Sequence, residues 1–327
     1  MMRAIELAKR GLGHTRPNPA VGAVIVKNGK ILGEGYHKRA GTDHAEVAAI
    51  KSAFRKFGRS TSQLPNFPTV QPLHGGTIYV TLEPCSKPGR VGACTDAIIA
   101  AGLAKVVFAV SDPNPANRGK AKRALAKHGI ACERFQGDKA TLEACRDLIK
   151  DFSKHVRTGL PYVTVKIAMS LDGKICDDRG DSHWVTSSAS RDRTNELRSS
   201  VDAIMVGAET VRRDNPSLLA RIRPNPDLVR VVVSRSGKLP KKAQVFMDGM
   251  NPTLVFDDAK DALRKLGKMG VMSVLCEGGL VLARSLAGAG LVDEWITVMA
   301  PKVIGSRRIA DALVLGKNDH FISTREL

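Results

Sequence analysis

Apolar and polar positions along this chain follow two rhythms, one helical and one alternating. Met2, Ile5, Ala8 and Leu12 recur at helical spacing, so residues 2–12 predict a short amphipathic helix. In "AVGAVIVKNGKILGEGYH" two β-rich runs meet at Asn28-Gly29, the strongest short hairpin signal. The helical period returns in "HAEVAAIKSAFRKF", from His44 to about Phe57, before a polar, proline-bearing loop. "TIYVTLEP" then predicts a strand, Cys94 opens the helix "CTDAIIAAG", and "KVVFAVSDPNP" is a strand with a proline stop. Helix 120–128, strand "IACERF" and one helix over 138–155 complete this half.

The turn "VRTGLP" at 156–161 is the best boundary. Beyond it the pattern predicts strand 162–168, helix 188–199, strand "VDAIMVG", helix 208–213 and strands "VRVVVS" and "PTLVF". Helix 259–269, strand "VMSVLCEGG", helix 279–289 and strand "EWITVMAP" follow. Strands alternating with helices mean an α/β sheet in each half. The expected domains are 1–156 and 157–327, and a chain of 327 residues is long enough for two cores.

Composition narrows the setting. No window approaches 18 uncharged apolar residues, and "MMRAIELAKRG" lacks the apolar block of a signal peptide, so a cytoplasmic protein without a membrane span is expected. Six cysteines are then expected to be reduced, with Cys132, Cys145, Cys176 and Cys276 as packing residues. The net charge of +19 favours anionic partners, either nucleic acid or small phosphorylated compounds. The charges are scattered and aromatics are only 4%, which argues against a stacking platform for single strands.

The chemistry gathers in residues 44–94. His44 and Glu46, two apart, share no helix face, but at a first turn both can address a cleft at the helix N-terminus. Cys85 follows a strand and Cys94 starts a helix, where thiolate is favoured. One histidine and two cysteines leave tetrahedral zinc an open position for water, and an adjacent carboxylate can shuttle that water's protons. His-x-Glu followed by Pro-Cys…Cys is the ligand logic of zinc deaminases, with the glutamate as acid/base. Nucleoside deaminases space their cysteines Cys-x2-Cys, whereas eight residues separate this pair.

The strings "TRPNPAVGAVIVKNGKILGEGYH", "HAE", "PCSKPGRVGAC" and "DPNP" resemble the deaminase half of the bifunctional riboflavin-biosynthesis deaminase/reductases, eight-residue gap included. The resemblance implies zinc ligands His44, Cys85 and Cys94 and a proton shuttle, Glu46. It also implies that Asn18 contacts the pyrimidine and Arg90 the substrate phosphate. The family's histidine two after the first cysteine is Lys87 here, a second candidate charge for phosphate. Its Thr-Pro-Pro is Val91-Gly92-Ala93.

In the second half, Gly278-Gly279 after a strand suits either a dinucleotide phosphate or a tight turn, and no GxGxxG follows a strand. Arg212 and Arg213 could meet a 2′-phosphate or be solvated. "VKIAMSLDGKI", "GDSHWVTS", "DAIMVGAETVRRDNPSLLAR" and "CEGGLVLARSL" resemble the family's reductase half. That resemblance implies NADPH on the side of Lys166, Ala168, Trp184, Thr210, Asp214 and Gly279, and substrate on the side of Ser182, Arg198, Leu218, Arg221 and Glu277. Leu219 stands where the family has threonine, Arg235 where it has serine, and the ending "HFISTREL" implies a short or absent final edge strand. The implied architecture is an N-terminal cytidine-deaminase-like three-layer α/β/α domain plus a C-terminal dihydrofolate-reductase-like α/β domain. The implied activity is deamination of a phosphoribosylated aminopyrimidine and reduction of its ribosyl group, by a homo-oligomer, dimer or tetramer. Two other readings stay open: a tRNA-editing deaminase, and a paralogue with an impaired reductase half.

Overall fold

From its N-terminus the chain forms α1 (Met2–Lys9), β1 (Gly22–Lys27), β2 (Lys30–Tyr36), α2 (Ala45–Lys56), β3 (Thr77–Leu82) and α3 (Cys94–Ala100). β4 (Lys105–Val110), α4 (Lys120–Ala126), β5 (Ala131–Arg134), α5 (Lys139–Asp147) and α6 (Lys150–Thr158) follow. This computed structural model describes residues 1–57, 73–87, 92–177, 185–304 and 320–325. The chain divides into two units, Met1–Thr158 and Gly159–Leu327.

In the first unit the strands lie in the order β2-β1-β3-β4-β5, with β1 antiparallel to β2 and β3, and β3, β4 and β5 parallel. Asn28 and Gly29 both take positive φ, the two left-handed residues of a type I′ hairpin. Ile25, Ile50, Phe54, Ile78 and Ile98 are completely buried between sheet and helices, each stabilising the fold by about 1.5–3 kcal/mol. α2 lies directly on β2: a Cβ at Gly35 would stand 2.3 Å from the Ala49 nitrogen, so only glycine permits this approach. That contact fixes where the N-terminus of α2 opens. The expected single helix 138–155 is instead α5 and α6, broken at Leu148 and Ile149. Both of these consecutive side chains turn into the cluster of Ile5, Leu82 and Cys145, and that burial ends the first helix.

The second unit comprises β6 (Tyr162–Ser170), α7 (Ser188–Arg198), β7 (Ala203–Gly207), α8 (Ala208–Asp214), β8 (Val229–Val233), α9 (Gln244–Met247) and β9 (Thr253–Phe256). It continues with α10 (Ala259–Lys268), β10 (Ser273–Cys276), α11 (Leu280–Gly288), β11 (Glu294–Ala300) and β12 (His320–Arg325). The sheet order is β12-β11-β6-β10-β7-β8-β9, parallel throughout except at β12. The expectation of a short or missing edge strand is therefore corrected. β12 pairs antiparallel with β11 along Glu294↔Arg325 to Met299↔His320, giving β11 a second hydrogen-bonded neighbour. Cys132, Cys145 and Cys276 are buried packing residues, and burial pushes their thiols up, to about 11, 11 and 12. Cys176 is half-exposed. Among the described residues no helix is long and apolar enough to cross a membrane.

Candidate functional site

In the first unit, His44 caps α2 from an extended conformation and Glu46 lies in that helix's first turn. Cys85 follows β3, and Cys94 is the first residue of α3. These elements bring the His44 Nδ1 within 3.2 Å of the Cys94 Sγ and 3.5 Å of the Cys85 Sγ. Zinc bound at ordinary tetrahedral bond lengths puts nitrogen and sulfur about 3.5 Å apart. All three donor atoms lie within 4.8 Å of one another, so the set fits zinc with one position left over. The ring uses Nδ1, which spacing alone did not reveal.

The charges are arranged for a cation. Hydrogen bonding from Cys94 and then His44 holds the Cys85 thiol well below its ordinary value, while Cys94, sharing its proton with Cys85 and deeply buried, is pushed up. The Cys94 backbone N–H donates to the Cys85 Sγ at 3.4 Å. The hydrogen bond to Cys85 raises the His44 imidazole. Glu46 is 3% exposed, and burial, followed by the Cys85 charge, lifts its carboxyl to about 7. A carboxyl near neutrality suits proton transfer at working pH.

Two residues beside the site, His37 and Glu83, carry no role in the sequence reading. His37 is 2% exposed, and its ring meets that of His44 edge-on at 5.2 Å between centroids. Its Nδ1 lies 3.0 Å from the Asp43 carbonyl, so Nδ1 donates there and Nε2 accepts from the Asn18 amide at 3.1 Å. Burial lowers the His37 pKa and keeps it neutral in this role. Glu83 accepts from the backbone N–H groups of Asp112 at 3.2 Å and Gly119 at 2.8 Å, tying the "DPNP" loop to the strand end that precedes Cys85. Both lie within strings already quoted, and their partners lie 6 to 36 residues away in sequence. Lys87 is exposed and lies against Lys120, whose ammonium is lowered by desolvation and then by Lys87. Arg90 and Val91 lie outside the described residues.

In the second unit the candidates collect at the carboxyl ends of parallel strands, where open α/β sheets bind ligands. Arg198, the last residue of α7, forms a forked ion pair with Glu277 just beyond β10, Nε to Oε1 at 2.6 Å and Nη2 to Oε2 at 3.0 Å. The side chains are only 18% and 10% exposed. Desolvation opposes both charges, yet Glu277 is lowered by Arg198 and then Lys166, and Arg198 is raised by Glu277. Lys166, on β6, is lowered by desolvation, with Glu277 opposing and Arg198 adding to the effect.

The Leu219 carbonyl faces Arg198 Nη1 at 3.5 Å, so the backbone, not the substituted side chain, supplies that contact. Arg221 donates to the Ser217 Oγ at 3.4 Å, and Leu218 is buried with φ +51°. Gly279 caps α11 with open space at its missing Cβ, whereas a Cβ on Gly278 would stand 2.7 Å from Leu282 Cδ2 and 3.3 Å from the Gly207 nitrogen. The glycine pair therefore abuts the turn into α8, which carries Thr210 and Asp214. Ala168 lies in β6 opposite Val298. Arg212 and Arg213 both pair with Glu209 of their own helix, at 3.0 and 2.7 Å. Arg235 is exposed. Ser182 and Trp184 lie outside the described residues.

Comparison with known proteins matches the same two halves. Residues 1–110 match the cytidine and deoxycytidylate deaminase zinc-binding region, and residues 161–317 the RibD C-terminal domain. The riboflavin biosynthesis protein RibD of Bacillus amyloliquefaciens is 39% identical over 97% of this chain and 87% of that protein. RibD of Escherichia coli (strain K12) is 36% identical over 94% and 88%. A crystal structure of the diaminohydroxyphosphoribosylaminopyrimidine deaminase/5-amino-6-(5-phosphoribosylamino)uracil reductase from Thermotoga maritima superposes with a TM-score of 0.86 at 34% identity, covering 100% of this chain and 97% of that one. With a zinc-fitting donor set in one unit and RibD relatives along nearly its whole length, the chain belongs to the RibD family of bifunctional deaminase/reductases of riboflavin biosynthesis.

Proposed function

We propose that this chain works on 2,5-diamino-6-(5-phosphoribosylamino)pyrimidin-4(3H)-one in two consecutive steps, hydrolytic deamination within residues 1–156 and reduction of the ribosyl group to ribityl within 157–327. The observation that carries the first step is the closeness of His44 Nδ1 to both cysteine sulfurs, beside a buried Glu46. His44, Cys85 and Cys94 hold zinc, which when bound supplies a water acidic enough to act near neutral pH. Glu46 takes the proton from the attacking water and returns one to the departing amine, so that water and substrate become ammonia and a carbonyl compound. Asn18, held by neutral His37, orients the pyrimidine. Lys87 and Arg90 meet the phosphate.

In the second step bound NADPH supplies the hydride, with Lys166, Ala168, Trp184, Thr210, Asp214 and Gly279 on its side. The open backbone at Gly279 and the N-terminus of α11 suit its phosphate. Ser182, Arg198, Leu218, Arg221 and Glu277 hold the substrate, and the Arg198–Glu277 fork keeps both charges fixed. No nucleic-acid or membrane partner enters this reading. The enzyme acts in the cytoplasm, as a homo-oligomer whose size sedimentation would measure.

Mass spectrometry of products tests both steps. The substrate should gain one mass unit without NADPH, as an amino group becomes a carbonyl, and two more with it. No gain without NADPH would refute the deaminase assignment. A first gain with no second would favour the impaired-reductase reading. Inosine formed in tRNA by the zinc-loaded protein would revive the editing reading.

A further inference from the structure

Arg230 is the largest fully buried side chain among the described residues, at 2% exposure near the start of β8, the strand beside the edge strand β9. A guanidinium in such a place is costly unless it is paired and hydrogen-bonded, and here both terminal nitrogens are met while Nε has no partner among the described residues. Its Nη1 donates to Asp248 Oδ2 at 2.6 Å and to the Ser217 carbonyl at 3.1 Å, and its Nη2 donates to the Asn251 carbonyl. Asn251 in turn donates to the carbonyls of Asn225, Pro226 and Leu228, each at 3.0 Å. One cation thus gathers three irregular segments: 215–221, 225–228 and 248–251.

The first of these segments is the one that matters chemically. Asn215 and Leu218, both non-glycine, take φ of +39° and +51°, a conformation that side chains resist and that persists only where surroundings impose it. Between and beside them, the Ser217 Oγ accepts from Arg221 and the Leu219 carbonyl faces Arg198. Arg230 touches neither Arg198 nor Glu277 in any described contact. It reaches the carbonyl of Ser217 from behind, one peptide before the left-handed Leu218.

We infer that the buried Arg230–Asp248 pair is a positioning device for the reductase step, holding the 215–221 segment in its left-handed form so that Leu218 and Arg221 meet the phosphoribosyl substrate. A buried ion pair adds little net stability compared with apolar packing and is better suited to selecting one conformation. This inference rests on the substrate-side assignment of that segment proposed above. The pair acts on substrate binding and leaves the cofactor side, at Gly279 and α8, unaffected.

The test uses full-length, zinc-loaded enzyme supplied with the deaminated substrate. Arg230→Met should raise the reductase KM for that substrate at least tenfold, with kcat and the NADPH Kd within twofold of wild type. Arg230→Lys, which keeps a charge opposite Asp248, should recover most of the loss, and Asp248→Asn should resemble Arg230→Met. Unchanged deaminase activity in each variant reports an intact first unit. Should Arg230→Met not fold, Asp248→Asn carries the test, and an unchanged KM in it overturns the inference. Equal movement of KM, kcat and NADPH Kd overturns it as well, since that is the mark of general loosening. If wild-type enzyme itself fails to reduce the substrate, the functional reading has failed, and not the positioning role.

Discussion

Glu46 is the residue whose position and charge are hardest to explain by packing alone. It is 3% exposed, lies beside three metal donors, and its carboxyl is lifted to about 7 by burial. Replacing it with glutamine keeps shape and hydrogen bonding but removes the proton shuttle. Glu46→Gln should lower deaminase kcat by about 10²–10⁴-fold while zinc content, read by elemental analysis, stays at one per chain. Loss of zinc together with activity would instead make Glu46 a structural support of the metal. Lys87→Ala is the complementary case, because no described contact joins Lys87 to the donors. The KM for the phosphorylated substrate should rise with kcat preserved, and an unchanged KM would end its phosphate role. Glu277 gives the pH counterpart. Its pKa is lowered in the folded chain, so its pairing with Arg198 contributes stability above the unfolded carboxylate pKa. That contribution disappears as pH falls through the still lower folded value. Reductase substrate affinity should therefore show no Glu277-dependent change across the neutral range and weaken only below the ordinary carboxylate range, measured by KM against pH.

At the scale of elements, β12 changes the reading of the second unit most. β11 pairs with β6 on one side and β12 on the other, so removing residues 320–327 would leave a row of unpaired backbone groups along β11. That truncation should lower the unfolding temperature of the reductase unit and promote concentration-dependent association seen by light scattering, with deaminase activity retained. A truncated chain as stable and as monodisperse as wild type would mean that the pairing contributes nothing. The sequence hid this strand because "HFISTR" is a six-residue segment that pairs with a strand 21 to 31 residues earlier. The break between α5 and α6 was hidden for a related reason. Leu148 and Ile149 fit a helical period, and only the cluster they enter shows that the helix stops. By contrast, the Asn28-Gly29 hairpin, the helix opened by Cys94 and the strand before Cys85 were legible, since their signals are local. The site divides the same way. His44, Glu46, Cys85 and Cys94 announce themselves by residue type and spacing, whereas His37, Glu83 and Arg230 matter through partners 6 to 36 residues away.

For the whole molecule, the two units have separate apolar cores and bind different ligands, so their stabilities should respond to different additions. Zinc held by His44, Cys85 and Cys94 would tie the start of α2 to the end of β3 and the start of α3, three elements that share the core of the first unit. Without it, the deeply buried Cys94 thiol, hydrogen-bonded to Cys85, is pushed up. Chelation should therefore lower the unfolding temperature of one thermal transition and abolish deamination, leaving reduction of pre-deaminated substrate intact. NADPH binds only the folded second unit and stabilises it by RT ln(1 + [L]/Kd), about 2.7 kcal/mol at a hundredfold excess over Kd. For a unit of this size that is a rise on the order of 5–10 °C, and it should appear in the transition that chelation leaves alone. Differential scanning calorimetry with chelator, with NADPH and with both would read the two shifts separately. Additive, transition-specific shifts would establish that each cofactor stabilises its own unit. A single transition moved by either addition would mean that the units unfold as one body, and the assignment of one cofactor to each half would then have to rest on activity alone.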